Sequence, residues 1–350
     1  MSLCRYYKPY WEPISFSSFL ISGWLMRFIV ETSFFGNFEQ TENPKVLAIP
    51  VPYEYTTNYG FGKGVKNGPQ AILNASINLD SFDDELWTDT SSIGINTSNF
   101  ITQEFVSDKS SAPFKEVENV VRNAIIKGFV PVIIGGEDSL SYGSAKAVYD
   151  LYPDVSLLHF SAGSNLKNSH KNNSYSHNCT MRRIIELMPD LKVVQLGTRR
   201  ISSEEAKWIE KTNPNLEMFF ARDKKTWSVA DILSCLSKNV YITFNFDALD
   251  TSIMPSTMSP EPGGFMWEEA IDILKNVCTF KEVVGMDFVG LSPVQGLYAP
   301  DYLAAKLIYK TIGYTFAREL GAFEDSRDVA CRSQSERASP LAGNISTSKS

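Results

Sequence analysis

The sequence predicts an α/β fold: a single three-layer α/β/α domain around a mostly parallel, doubly wound sheet. Three observations predict it. From Lys45 onward, short β-branched runs alternate with helical patterns. The runs are apolar on both faces, as strands covered by helices on both sides must be. The composition supplies the core: 43% of the 350 residues are hydrophobic and 21% are charged, an ordinary globular balance.

The elements follow in order. Val46–Val51 reads as the first strand. In Pro113–Gly128 the apolar set Val117, Val120, Val121, Ala124 and Ile125 steps at helical spacing, and Gly128 supplies a C-terminal cap. Val130–Gly135, Val155–Phe160, Lys192–Gly197, Leu216–Ala221 and Val240–Phe246 read as further strands. Trp267–Cys278 repeats the helical pattern with Ala270, Ile271, Leu274 and Val277. Glu282–Leu291 is the last strand, and 301–319 reads as a closing helix. Strands joined through helices favour one doubly wound domain.

The two ends differ from the rest. After about residue 323 the chain is polar and without period, which predicts a disordered tail over 324–350. Residues 1–25 are aromatic-rich and match no element, so they read as an extension; Met26 is then an alternative functional start. The predicted domain spans 26–323.

Composition narrows the function. The 33 Lys and Arg stand against 40 Asp and Glu, a formal net charge of -7. That balance argues against non-specific nucleic-acid binding and suits a cationic small ligand. The apolar stretch from Ile14 to Met26 is too short to span a bilayer, so no membrane role is expected. Five scattered Cys, none spaced as C-x-x-C, fit reduced thiols in the cytoplasm rather than a disulfide framework or zinc ribbon,. Only three His are present, few for a metal enzyme.

Ligands of open α/β sheets bind beyond the carboxyl ends of the strands. Four strand ends carry polar, Gly-rich segments: GGEDS (135–139), HFSAGSN (159–165), TFNFDALD (243–250) and VGMDFVG (284–290). YSHN (175–178) and SPEPGG (259–264) add two loops. In this order the segments resemble the ureohydrolase family of arginases and agmatinases, with the agmatinase branch the nearest match. The resemblance covers about 45–320. Tyr59-Gly60-Phe61-Gly62 to Gly68-Pro69-Gln70-Ala71-Ile72 matches the family's glycine-rich entry loop, and Arg27-Phe28-Ile29 to Phe34-Phe35-Gly36 resembles an agmatinase N-terminus.

The resemblance implies an arginase-like fold, a homo-oligomer (trimer or hexamer) and hydrolysis of guanidino compounds to urea. Two Mn²⁺ ions share a bridging hydroxide, which metal binding makes available at neutral pH. Their ligands are two His and four Asp in the patterns GGDHS, DAHxD and SFDxDxxD. This sequence departs from that set. Asp138 stands at the first His position, with Glu137 at the Asp before it. Ser161, Gly163 and Asn165 replace the Asp, His and Asp of DAHxD. Asn245 replaces the first Asp of the last motif. Of the six ligands only Asp247 remains, with Asp250 kept beside it.

Hard cations need several anionic or carbonyl oxygens, and this set offers few. No cofactor is therefore expected, the alternatives being manganese or one weakly held Mg²⁺ or Ca²⁺. His177 matches the family's SHG histidine, with Asn178 in place of the Gly. Glu261 matches the carboxylate that grips the guanidinium by charge-assisted hydrogen bonds. Gly290 replaces a Glu after the last strand. Asp138, Glu261 and His177 are thus the candidate substrate-binding residues, and His177 and Asp247 the candidate catalytic ones.

Plainer roles stand beside these. Asp138 also suits a helix N-cap, and Asp247 and Asp250 suit turn bonding. Two buried like charges at 138 and 247 call for a cation between them: a ligand amine, Lys167 or Lys171. His159 reads as a core residue, His170 as solvated, and the Cys as apolar filler.

Three functions follow. One is a pseudoenzyme that binds a guanidino compound or polyamine, or regulates an active homologue. The second is a divergent amidinohydrolase releasing urea from agmatine or a related compound, in polyamine metabolism. The third is metal-free acid/base chemistry.

Overall fold

The computed structural model describes residues 33–36, 43–55, 63–101, 112–212 and 214–322. The extension 1–25, the start at Met26 with Arg27–Ile29, the loop residues Tyr59–Gly62 and the tail 324–350 lie outside the described residues.

Among the described residues ten strands and eight helices are formed in the order β1 (Val46–Val51), α1 (Gly68–Ser76), β2 (Phe82–Asp83), β3 (Thr88–Asp89), β4 (Ile95–Thr97), α2 (Ala112–Ile126), β5 (Val130–Gly135), α3 (Ser141–Leu151), β6 (Val155–Phe160), α4 (Thr180–Leu187), β7 (Lys192–Thr198), α5 (Ser203–Thr212), β8 (Leu216–Phe220), α6 (Val229–Cys235), β9 (Asn239–Asn245), α7 (Trp267–Phe280), β10 (Glu282–Val289) and α8 (Ala299–Thr315). Eight strands form one sheet in the order β4-β1-β5-β10-β9-β6-β7-β8, and every pairing in it is parallel. The seven runs read as strands from the sequence are all strands here. β2 and β3 form a small antiparallel hairpin apart from the sheet.

Alternate residues along each strand point to opposite faces, and each face carries its own core. Val132, Ile134, Leu158, Phe160, Ile242, Phe244, Met286 and Phe288 face one cluster, with residues of α1, α7 and α8. Ile133, Leu157, Val193, Tyr241 and Val284 face the other, with residues of α2, α3 and α4. This makes the three layers. The fold is stabilised mainly by such burial, at roughly 1.5–3 kcal/mol for each large apolar side chain.

Strand order positions the site. From β5 the chain crosses to β6, leaving two places that β9 and β10 later fill. The carboxyl ends of β5, β10, β9, β6 and β7 therefore lie side by side. In register, Phe160 pairs with Phe244, Phe288 with Phe244 and Phe288 with Ile134. The loops after these strands converge at one level.

Among the described residues, no helix is long and apolar enough to cross a membrane.

Candidate functional site

The turn after β5 presents Asp138, buried and 3% exposed. The Asn165 Nδ2 donates to Asp138 Oδ2 at 2.7 Å, and the Asn245 Nδ2 lies 3.4 Å from the same oxygen. Asp138 Oδ1 is buried without a hydrogen-bond partner. Asp247 follows β9, equally buried. Its Oδ1 accepts from the Ser161 hydroxyl at 3.1 Å and from the Ala162 N–H at 3.0 Å. The Asn245 Oδ1 accepts from the Asp247 N–H at 3.0 Å. One polar patch therefore joins Asp138, Ser161, Asn165, Asn245 and Asp247, as the motif order implies.

Both carboxyls are pushed up from the ordinary aspartate value. For Asp138 burial is the main cause, followed by the charges of Asp247 and Glu137, with Arg200 opposing. For Asp247 burial raises the value, while Arg200 and the Ala162 N–H oppose it.

The cation between them is neither Lys167 nor Lys171. Arg200 takes that place, with Nη2 3.6 Å from Asp247 Oδ2. The strand extensions explain how. Gly163 and Arg200 pair as a parallel bridge beyond β6 and β7, so their side-chain positions are neighbours. A Cβ built on Gly163 would lie 2.8 Å from Arg200 Nη2 and 2.7 Å from Asn165 Oδ1. The space beside Gly163, where the family's ligand His would project, is filled by a guanidinium.

Arg199 is used differently. Its guanidinium donates to the carbonyls of Asp247 (2.7 Å), Glu261 (2.6 Å), Pro262 (3.0 Å) and Gly197 (3.1 Å), with longer contacts to Ala248 and Leu249. It ties the loop after β9 to the Pro-Glu-Pro turn. A sequence reading centred on carboxylates and His missed both arginines, although Arg199 and Arg200 directly follow β7, where ligand-facing residues collect.

Several plainer roles hold. Asp250 Oδ2 accepts from the N–H groups of Gly263 (2.7 Å) and Gly264 (3.1 Å), and Oδ1 accepts from Ser252. These bonds hold its carboxyl down, at about 2, so it is a turn clamp. Glu137 accepts from Ser139 and from the Tyr55 N–H. His159 is 1% exposed and meets Gln195 at 3.1 Å, a core His as expected. The N-cap role offered for Asp138 does not hold: Glu137 is the cap residue, and no side chain caps that turn.

His177 is half-buried. Its Nε2 meets the Asn178 amide at 2.7 Å, and its ring packs edge-on to His170 at 5.9 Å. Burial, with His170, Arg200, Lys167 and Lys171 nearby, pulls its value down to about 3. His170 is therefore half-buried against His177 rather than fully solvated. Glu261 offers its backbone carbonyl to Arg199, while its carboxylate makes no hydrogen bond or ion pair with the described residues.

A manganese pair needs a cluster of anionic ligands around it. Among the described residues no three His, Cys, Asp or Glu stand together as a metal-holding group. Gly163 offers no donor, and Asp247 is ion-paired to a cation. These residues do not fit a bridged pair.

Comparison with known proteins gives the wider setting. The arginase family model matches residues 44–313. An N(1)-aminopropylagmatine ureohydrolase of Synechocystis sp. is 31% identical over 276 residues, covering 77% of this chain and 88% of that protein. The crystal structure of an agmatine ureohydrolase of Thermoplasma volcanium superposes with a TM-score of 0.70 at 25% identity, covering 79% of this chain and 92% of that one. A Trypanosoma cruzi formiminoglutamase solved with Mn²⁺ as a pair superposes with a TM-score of 0.71 at 21% identity, covering 81% and 97%. That finding corrects the expectation of no cofactor. Manganese pairs occur on this fold.

Proposed function

Because the chain belongs to the arginase family, we propose that it is an agmatinase-like ureohydrolase-fold protein whose guanidino hydrolysis has given way to ligand binding or regulation. The observation that carries this reading is the Arg200 guanidinium in the space Gly163 leaves, ion-paired to Asp247. Hydrolysis of a guanidinium needs a hydroxide at neutral pH, which metal coordination supplies when a pair is bound. Here Asp247 is committed to Ser161, Ala162 and Arg200, and Asp138 to Asn165. His177, held neutral, has no proton to give near pH 7. Arg200 has the chemistry of the family's own substrates, so the chain offers its site an internal guanidinium. A guanidino compound or polyamine reaching Asp138 and Asp247 competes with Arg200. A cytoplasmic homo-oligomer suits the same reading.

A second reading is the family reaction on agmatine or a related compound. The Synechocystis relative's name favours it. One experiment separates the two. The full chain is incubated with agmatine, N(1)-aminopropylagmatine and arginine, with and without added Mn²⁺, and urea is measured. The expected result is no urea above the protein-free blank. Urea from any substrate overturns the proposal and establishes the second reading.

A further inference from the structure

Beside Arg200 lies a cleft of about 180 Å³, smaller than a drug-sized pocket,. Lys167, Arg200, Asn165, Asn178, Ser202 and Glu205 are among its lining residues. Its single carboxylate is already satisfied. Glu205 Oε1 accepts from the Ser164 hydroxyl (2.7 Å) and the Leu166 N–H (2.9 Å), and Oε2 from the Ser202 N–H (2.7 Å) and hydroxyl (2.6 Å). These bonds hold it ionised, below the usual glutamate value despite burial.

The cations are not satisfied. The Lys167 ammonium makes no hydrogen bond or ion pair with any described residue. Arg200 makes one ion pair, at 3.6 Å, beyond hydrogen-bond reach,. Its N–H donors are otherwise unused among the described residues. The neighbouring Arg199 shows the contrast, with every guanidinium nitrogen on a carbonyl. The Asn178 amide is turned to His177, and the Asn165 amide to Asp138. The cleft thus presents unused N–H donors on two cations and no free anionic acceptor.

We propose that this cleft binds a small carboxylate, gripped by the Arg200 guanidinium and the Lys167 ammonium. A planar guanidinium matches a carboxylate by paired hydrogen bonds, and the lysine adds a point charge. The anion and Asp247 then share Arg200 from opposite sides. The site is separate from the question of urea release: calorimetry reads anion binding directly, so either proposal can fail without the other.

The test is calorimetric titration of the full chain with succinate at constant ionic strength, with inorganic phosphate as a second arm. Lys167→Glu reverses the cleft charge. Lys238→Glu makes the same charge change at the amino end of β9, away from the cleft. The expected result is saturable succinate binding, weakened about tenfold or more in Lys167→Glu, the size of one charge-assisted hydrogen bond, and unchanged in Lys238→Glu. Absence of saturable binding overturns the proposal, as does an equal loss in both variants. Phosphate binding as tight as succinate overturns the carboxylate assignment.

Discussion

Removal of the Arg200 guanidinium tests the charge logic of the site most directly. In Arg200→Ala, Asp138 and Asp247 remain buried with no cation between them. A unit-charge pair 3.6 Å apart interacts by about 5 kcal/mol at an effective dielectric of about 20. The arginine side chain is 37% exposed, so water screens much of this, leaving a net loss of about 1–2 kcal/mol. The loss should depend on pH. Burial raises both carboxyls in the folded state. Removing Arg200 raises them further, so the variant folds best with protons bound, and its deficit shrinks as pH falls below neutral. Urea denaturation at pH 7 and pH 5 reads both effects, and added methylguanidine should restore part of the loss at pH 7. A deficit of equal size at both pH values, or none at pH 7, refutes the reasoning.

Two further outcomes follow from buried titratable groups. Asp287 is fully buried under the hydroxyls of Ser141, Ser144, Tyr241 and Thr243, and burial pushes its carboxyl up to about 6. A raised carboxyl contributes stability that is present at low pH and lost as pH rises through the folded value. Denaturation of the chain and of Asp287→Asn should therefore differ increasingly in favour of the native residue from pH 7 down to pH 4, by up to about 3 kcal/mol; parallel profiles would be the contrary result. His177, pulled down to about 3, should show no imidazole titration in NMR spectra between pH 5 and pH 8, and a shift midpoint near 6.5 would show that its wall is open to water.

Much of the fold was legible because parallel strands buried on both faces are continuous apolar runs. β1, β5 and β6 match the sequence reading at both ends. β4 escaped it because three half-buried edge residues carry no such run. The convergence of Asp138, Ser161, Asn165, Asn245 and Asp247 was legible because each lies at or just beyond the carboxyl end of a strand. Arg200 was not, since its meeting with Gly163 depends on a bridge between two strand extensions, which no local pattern encodes. Glu261 was singled out for its carboxylate, but the contact found is made by its backbone, and side-chain motifs are silent about backbone acceptors.

The Gly163–Arg200 contact also constrains how this chain could change over generations. Any residue other than glycine at 163 brings a Cβ within 2.8 Å of Arg200 and 2.7 Å of Asn165. A histidine placed there would first meet the Arg200 guanidinium and displace it. Losing Arg200 first strands two buried carboxylates. A larger residue at 163 is accommodated only when the Arg200 and Asn165 side-chain ends move aside, which disturbs the Asp247 ion pair and the Asp138 hydrogen bond. Gly290 repeats the arrangement: its φ of +85° and the Asn245 Oδ1 2.3 Å from an added Cβ oppose a glutamate while Asn245 stays. Positions 163, 165 and 200 are thus coupled through space, as are 245 and 290.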